Sequence, residues 1–198
     1  MASSKVEICN SALSKLGAEA IVNLTDDNKN ARLCNEQYDK LRRQVLREHP
    51  WNFATKRTSL AISATPPVWE YDNAFVLPLD CLRVIYTDYE IPNRTVGEIP
   101  WEIHIDQNNV KVLVSNESST NIKYIFDQQD TSQFSADFDE VLAWRIAADL
   151  AYPVTQSTTL SQTVFQAYNA ALRDARSYNG QEGSIPVIES DELLDARA

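Results

Sequence analysis

Residues 138–150 read Phe138-Asp139-Glu140-Val141-Leu142-Ala143-Trp144-Arg145-Ile146-Ala147-Ala148-Asp149-Leu150. Phe138, Leu142, Ile146 and Leu150 recur every four positions with Val141 beside them, the spacing of one face of an α-helix. The chain before this stretch keeps a different period. Trp101, Ile103 and Ile105 alternate, the chain turns through Asn108 and Asn109, and Val110, Val112 and Val114 alternate in their turn. After Asn116 to Ser119 the same period continues as Ile122, Tyr124 and Phe126, so three consecutive segments predict an antiparallel meander with one buried face. Tyr71 to Leu77 and Leu82 to Tyr86, separated by Pro78 and Asp80, predict two further strands.

Upstream of residue 51 the period is helical again. Ile8, Cys9, Ala12, Leu13 and Leu16 form an apolar stripe that stops at Gly17. A second helix is expected from about residue 29 to 49, introduced by Asp26, Asp27 and Asn28, which accept hydrogen bonds from free helical amides. Its Ala31, Cys34, Tyr38, Leu41 and Val45 face a core, and Pro50 ends it for want of an amide hydrogen. Downstream, Pro153 predicts a corner before Leu160, Val164, Ala167, Tyr168, Ala171 and Ala175 mark a last long helix. Neither helix pair buries its stripe alone. The expectation is an α+β fold: a four-helix unit formed by the N- and C-terminal pairs, with an inserted antiparallel β portion of about five strands. The divisions expected are residues 1–50 and 131–180 for the two halves of the helical domain, 51–130 for the β domain, and 181–198 for an acidic tail.

Composition narrows the chemistry. Among 198 residues, 18 Lys and Arg stand against 28 Asp and Glu, a net charge of −10 that argues against wrapping of nucleic acid by the exterior as a whole. Residues 28–57 run the other way, with Lys29, Arg32, Lys40, Arg42, Arg43, Arg47, Lys56 and Arg57 against Glu36, Asp39 and Glu48, a local charge of +5. Arg32, Lys40, Arg43 and Arg47 are therefore candidates for contact with an acidic partner surface. Cys9, Cys34 and Cys81 are too few and too scattered for a disulfide scaffold or a zinc knot, and read as small core residues of a reducing compartment. His49 and His104 sit in unrelated settings. With four glycines the chain has no phosphate-cradling loop, and no apolar run is long enough for a membrane span. No catalytic, cofactor-binding or metal-binding residue is singled out, and no cofactor is expected. Asp137, Asp139 and Glu140 could in principle serve a glycoside hydrolase, yet they stand where negative charge complements a helix N-terminus. The aromatics Trp51, Phe53, Trp69, Tyr71, Phe75, Trp101 and Tyr124 read as core and joint packing rather than base-stacking platforms.

Several segments in order carry a resemblance. They are Leu16-Gly17, Asp26-Asp27, the Tyr38/Leu41 helix, His49-Pro50-Trp51-Asn52-Phe53-Ala54, Trp69, Leu77-Pro78-Leu79-Asp80-Cys81-Leu82-Arg83-Val84, and Trp144-Arg145-Ile146-Ala147-Ala148-Asp149-Leu150-Ala151. Over roughly residues 4 to 180 the chain resembles the tail tubular protein A family of short-tailed bacteriophages, the head-to-tail adaptors or gatekeepers. The resemblance implies a structural, non-enzymatic virion protein, made in the bacterial cytoplasm and placed at the head–tail junction. Its implied partners are copies of itself in a ring, usually a dodecamer, the portal protein, and a nozzle protein of tail tubular protein B type. Genomic DNA would pass through the channel without sequence-specific binding. In such a ring Arg83, Leu193 and Leu194 join the interface candidates, while Pro50, Trp51, Phe53, Pro78 and Asp80 become structural joints. A virion-associated peptidoglycan hydrolase and a nucleic-acid-binding accessory protein are the alternative functional classes.

Overall fold

The computed structural model describes residues 4–87 and 100–183. Leu193, Leu194 and nearly all of the acidic tail lie outside the described residues. The chain divides into two compact units, one holding residues up to Ala54 together with Asp127–Gly183, the other holding Thr55–Phe126.

Four helices build the first unit: α1 (Lys5–Lys15), α2 (Lys29–Glu48), α3 (Ala136–Thr155) and α4 (Thr158–Gln181). Each starts on a side-chain cap. Ser4 Oγ accepts from the Glu7 amide while Glu7 returns a carboxylate to the Ser4 amide, a capping box. Asn28, Ser135 and Ser157 cap α2, α3 and α4. At the end of α1, Gly17 adopts φ +65°, so its amide reaches the Ser14 carbonyl and the Ala18 amide reaches the Leu13 carbonyl. That pair of bonds is a Schellman closure, and the left-handed residue it needs explains the glycine.

The helix α3 packs against α1, α2 and α4. Its sequence says why: Phe138, Val141, Leu142, Ala143, Ile146, Ala147, Leu150 and Ala151 are all buried, which covers more than one helical face. By contrast α4 buries the single stripe Val164, Tyr168, Leu172 and Ala175. Pro153 does not make the corner expected of it. It sits in the last turn of α3, whose helix runs on to Thr155 and ends at Gln156 in the left-handed region, φ +54°. A proline there removes one amide near the helix end without forbidding the turn that follows.

Antiparallel strands make up the second unit: β1 (Thr55–Ser59), β2 (Ala61–Ile62), β3 (Asn73–Val76), β4 (Cys81–Thr87), β5 (Trp101–Ile105), β6 (Lys111–Ser115) and β7 (Asn121–Phe126). They form two sheets, in the orders β1-β7-β4 and β2-β3-β6-β5. Seven strands stand among the described residues, where about five were expected. The additional ones are β1, which is Thr-Lys-Arg-Thr-Ser and carries no apolar alternation, and the two-residue β2.

The meander is corrected more deeply. β5 and β6 form the expected hairpin, closed by Asp106, whose Oδ1 accepts from the Asn108 and Val110 amides at 2.8 Å each. β7 does not continue it. The other edge of β6 is taken by β3, so β7 crosses to the other sheet and pairs with β1 and β4. Four consecutive buried residues in β6, Val112–Ser115, mark a central strand covered on both faces. One face joins Phe75, Leu77, Val84, Leu113, Ile122 and Tyr124 into a core between the sheets. The opposite face of the four-stranded sheet carries Ala74, Val112 and Val114 with Tyr71 against them.

Candidate interaction surfaces

The basic residues of α2 separate into two kinds. Arg32, Lys40, Arg43 and Arg47 are exposed, as an interface requires. Arg43 also pairs with Asp127 at 3.2 Å. Among the described residues, Arg32, Lys40 and Arg47 have no carboxylate within ion-pair distance, and Lys40 reaches only the Gln37 amide oxygen at 3.3 Å.

Arg42 is different. Its side chain is 1% exposed, and its Nη1 donates to Asp127 Oδ1 at 2.6 Å and to the Gln128 carbonyl. It holds the chain leaving β7 against the middle of α2. A buried guanidinium is tolerable only when its charge is matched in this way; Asp39 adds a second carboxylate 3.4 Å from Nε, although that nitrogen makes no hydrogen bond among the described residues. The signal was present in the spacing: Arg42 lies four residues after Tyr38 and three before Val45, on the buried stripe. The local charge of residues 28–57 thus overstates the cationic surface by one residue.

Of the joint residues, Trp51 is fully buried inside the helical unit. Its indole Nε1 donates to the Val45 carbonyl at 3.0 Å. That carbonyl belongs to the last turn of α2, where helical partners run out, and Pro50, which has no amide, leaves the following carbonyl, that of Leu46, without its helical donor. Trp51 therefore caps the helix that Pro50 stops. Its ring meets Phe138 edge-on at 5.2 Å, while Phe53 packs on Phe138 at 5.0 Å and on Phe134 at 5.6 Å. Beside it Asn52 donates two hydrogen bonds to Asn179, from its backbone amide and its side-chain amide, and Asn179 Nδ2 lies 3.0 Å from His49 Nε2. Tyr168 donates to Glu48 at 2.6 Å, which raises the tyrosine pKa through burial and the facing carboxylate. The C-terminal end of α2 is in this way fastened to both α3 and α4.

Pro78 and Asp80 form a tight turn in which the Cys81 amide donates to the Pro78 carbonyl at 2.9 Å. Asp80 reaches outward from that turn to Lys56 on β1 at 3.1 Å and accepts from the Tyr124 hydroxyl on β7 at 3.2 Å. Burial, reinforced by Asp80, pushes the Tyr124 pKa up to about 12. Lys56 also lies 3.7 Å above the Phe126 ring. Arg83 on β4 is half-buried, without an ion pair among the described residues.

The carboxylates near residue 138 occupy helical and ion-pair positions. Asp137 and Asp139 lie in the first turn of α3, and Glu140 pairs with Lys15 at 3.0 Å. His104 Nε2 lies 2.8 Å from Glu102, on an exposed strand far in sequence from His49. Among the described residues no group of three or more His, Cys, Asp or Glu is placed to hold a metal ion, and no helix is long and apolar enough to cross a membrane.

Not every aromatic is a packing residue. Trp69 was expected in the core, yet it is 76% exposed, as is its neighbour Val68. Pro66 and Pro67 make this segment a stiff surface loop, so the tryptophan has no strand or helix to fold it inward. No protein-family model matches the sequence, and no curated protein matches it either.

Proposed function

We propose that this chain is a structural subunit of a ring that joins the portal vertex of a short-tailed phage capsid to its tail nozzle, leaving a central passage for the genome. The observation that carries the reading is the cationic face of α2. Arg32, Lys40 and Arg47 stand exposed without described carboxylate partners on a chain whose net charge is −10. An acidic chain with a mostly basic helix face, on which the exposed Glu36 stands between Arg32 and Lys40, is complementary to other acidic surfaces, copies of itself included. The ordered motifs from Leu16-Gly17 to the Trp144–Ala151 helix supply the family-level part of the proposal.

The action is attachment, with no bond made or broken. Closed rotational symmetry repeats each protomer contact around the ring, so interfaces that are individually modest hold together through their number. Helical caps, the Arg42–Asp127 pair and the Trp51 cap fix the shape of the helical unit before assembly, which lowers the ordering cost of association. An acidic exterior would repel transiting DNA from any channel wall it lines.

The test is electron microscopy of the purified protein alone and mixed with a portal protein. A ring stacked coaxially on the portal is expected. Replacing Arg32, Lys40 and Arg47 together with glutamine should abolish stacking while costing no more than about 1 kcal/mol of folding stability, because exposed charges without ion pairs contribute little to folding. Triple-variant rings that stack as the parent does would refute the role given to α2. Release of peptidoglycan fragments by the pure protein, or salt-sensitive DNA binding by an isolated monomer, would point to the other two classes.

A further inference from the structure

The outer face of the β2-β3-β6-β5 sheet holds an apolar groove. Ala74, Val112 and Val114 form its floor, residues 65–70 one wall, and the end of β5 with the turn after it, His104 to Gln107, the other. Its volume is about 170 Å³. The hollow exists because Ala74 puts a single methyl group on the floor. The Asn108 side chain donates through Nδ2 to Thr65 Oγ1 at 3.0 Å, tying the first wall to the turn after β5.

The first wall is held in an unusual shape. Glu70 has φ +74°, and the Tyr71 amide donates across it to the Trp69 carbonyl at 2.9 Å. A three-residue turn with a left-handed, non-glycine centre is costly and persists only where its surroundings enforce it. It leaves Trp69 and Val68 in solvent at the groove's rim, with Ile105 exposed opposite. The charges are one-signed: Glu70 and Asp106 line the groove, Glu102 shares its sheet face, and no lysine or arginine lines it.

The same unit carries a feature of the opposite kind. Leu79 is fully exposed at the tip of the Pro78–Cys81 turn. The turn is rigid, since Pro78 fixes one backbone angle and Asp80 is held by Lys56 and Tyr124. Its neighbouring carboxylate, Asp80, is paired with Lys56, and two further cations stand close in the chain. The Leu77 amide donates to the Lys111 carbonyl at 3.3 Å, which sets Lys111 at the root of the turn, and Arg83 follows on β4. Neither cation has an ion pair among the described residues.

We propose that Leu79 of one copy inserts into the groove of the next, making a head-to-tail contact between β units. An apolar knob flanked by cations meets an apolar hollow rimmed by carboxylates, and both are preorganised, so little ordering is lost on contact. Knob and hollow are different patches of one surface, hence the contact is heterologous and generates a ring or an open chain rather than a two-fold dimer. The inference rests on the reading of the chain as a self-assembling subunit and names the contact through which the β units join.

The test uses full-length protein in sedimentation velocity, with L79S removing the knob and A74F filling the hollow. Each variant should weaken self-association at least tenfold, the loss that withdrawing a buried leucine from a contact predicts. Mixing the two is decisive. The knob of A74F still fits the hollow of L79S, and every other site is spoiled, so an equimolar mixture should yield pairs that grow no further. Should A74F fold poorly, E70K repels Lys111 and Arg83 instead and takes its place in the mixture. Parent-like association of L79S, or a mixture no more associated than its components, overturns the inference. If L79S rings still stack on the portal, the contact is wrong and the ring reading stands. A parent protein that stays monomeric both alone and with the portal overturns both.

Discussion

Replacing Trp51 with alanine removes the largest fully buried side chain of the protein. Three losses combine. The indole leaves a cavity against Phe138 and Phe53, and buried aromatic-to-alanine changes cost about 3 to 5 kcal/mol including that cavity. The Val45 carbonyl loses its donor, for a net cost of about 1 kcal/mol. Edge-on contact with Phe138 is lost too, a further ~0.5 to 1.5 kcal/mol that overlaps the first figure. The upper half of the 3 to 5 kcal/mol range is therefore expected. For a unit of roughly 100 residues each kcal/mol shifts melting by about 4 to 8 °C, so the melting temperature should fall by more than about 16 °C.

A second variant separates packing from capping. Trp51→Phe keeps most of the apolar contact and deletes only the indole donor and its second ring, so a loss of about 1 to 2 kcal/mol is expected. The assay is guanidinium unfolding followed by far-ultraviolet circular dichroism, which reports on the unit that holds all four α-helices described. A loss below about 1 kcal/mol for Trp51→Ala would refute the claim that this residue anchors α2 to α3. Equal losses for the two variants would refute the division between cavity and cap.

Asp127→Ala should destabilise the same unit by about 3 kcal/mol in chemical unfolding, because it leaves the buried Arg42 guanidinium without its nearest carboxylate, whereas Arg43→Ala on the exposed partner should cost less than about 1 kcal/mol. Ultraviolet titration should resolve one tyrosine ionising near pH 12, removed by Tyr124→Phe. Its folded pKa lies above the unfolded one, so Tyr124 contributes stability that is present below the ordinary tyrosine value and lost as pH rises through about 12. Glu7 behaves with the opposite sign. Its hydrogen bonds with the Ser4 backbone and side chain lower its pKa, so its contribution is present above the ordinary glutamate value and lost as pH falls through the folded one. Protection of the Ser4 amide, measured against its intrinsic exchange rate, should fall on acidification through that range, and Glu7→Gln should flatten the response.

The helices were legible because their signals are local. Gly17, Asn28 and Pro50 each act within one turn of chain, and the apolar stripes around Tyr38, Phe138 and Tyr168 repeat often enough to set a period. Sheet order is not local. Period two shows that residues 110–114 and 122–126 are strands, but their neighbours depend on which edges are still free, and Thr55–Ser59 claims one edge of β7 with scarcely an apolar residue. A meander is the shortest connection, and the pairing of β3 with β6 excludes it here. Burial on both faces of β6 is the trace this leaves in sequence: Val112, Leu113 and Val114 form an unbroken apolar run inside what otherwise reads as alternation.

The interaction surfaces follow the same division. Arg42 and Arg43 are adjacent and chemically identical, and a count of charges treats them alike. One residue step separates their fates: about 100° of rotation per residue carries Arg42 onto the stripe of Tyr38 and Val45 and leaves Arg43 in solvent. Aligning the charges with the apolar stripe therefore recovers the exposed set Arg32, Lys40, Arg43 and Arg47 from sequence alone. No such alignment finds Leu79 or Trp69. Both are apolar residues in proline-bounded turns, where helical and strand periods are silent, and their exposure follows from how the turns are held: by Asp80 across the sheet in one case, and by the left-handed Glu70 in the other. In a domain assembled from short strands, the turns carry side chains whose direction tertiary contacts decide, so new contact surfaces are most easily overlooked there.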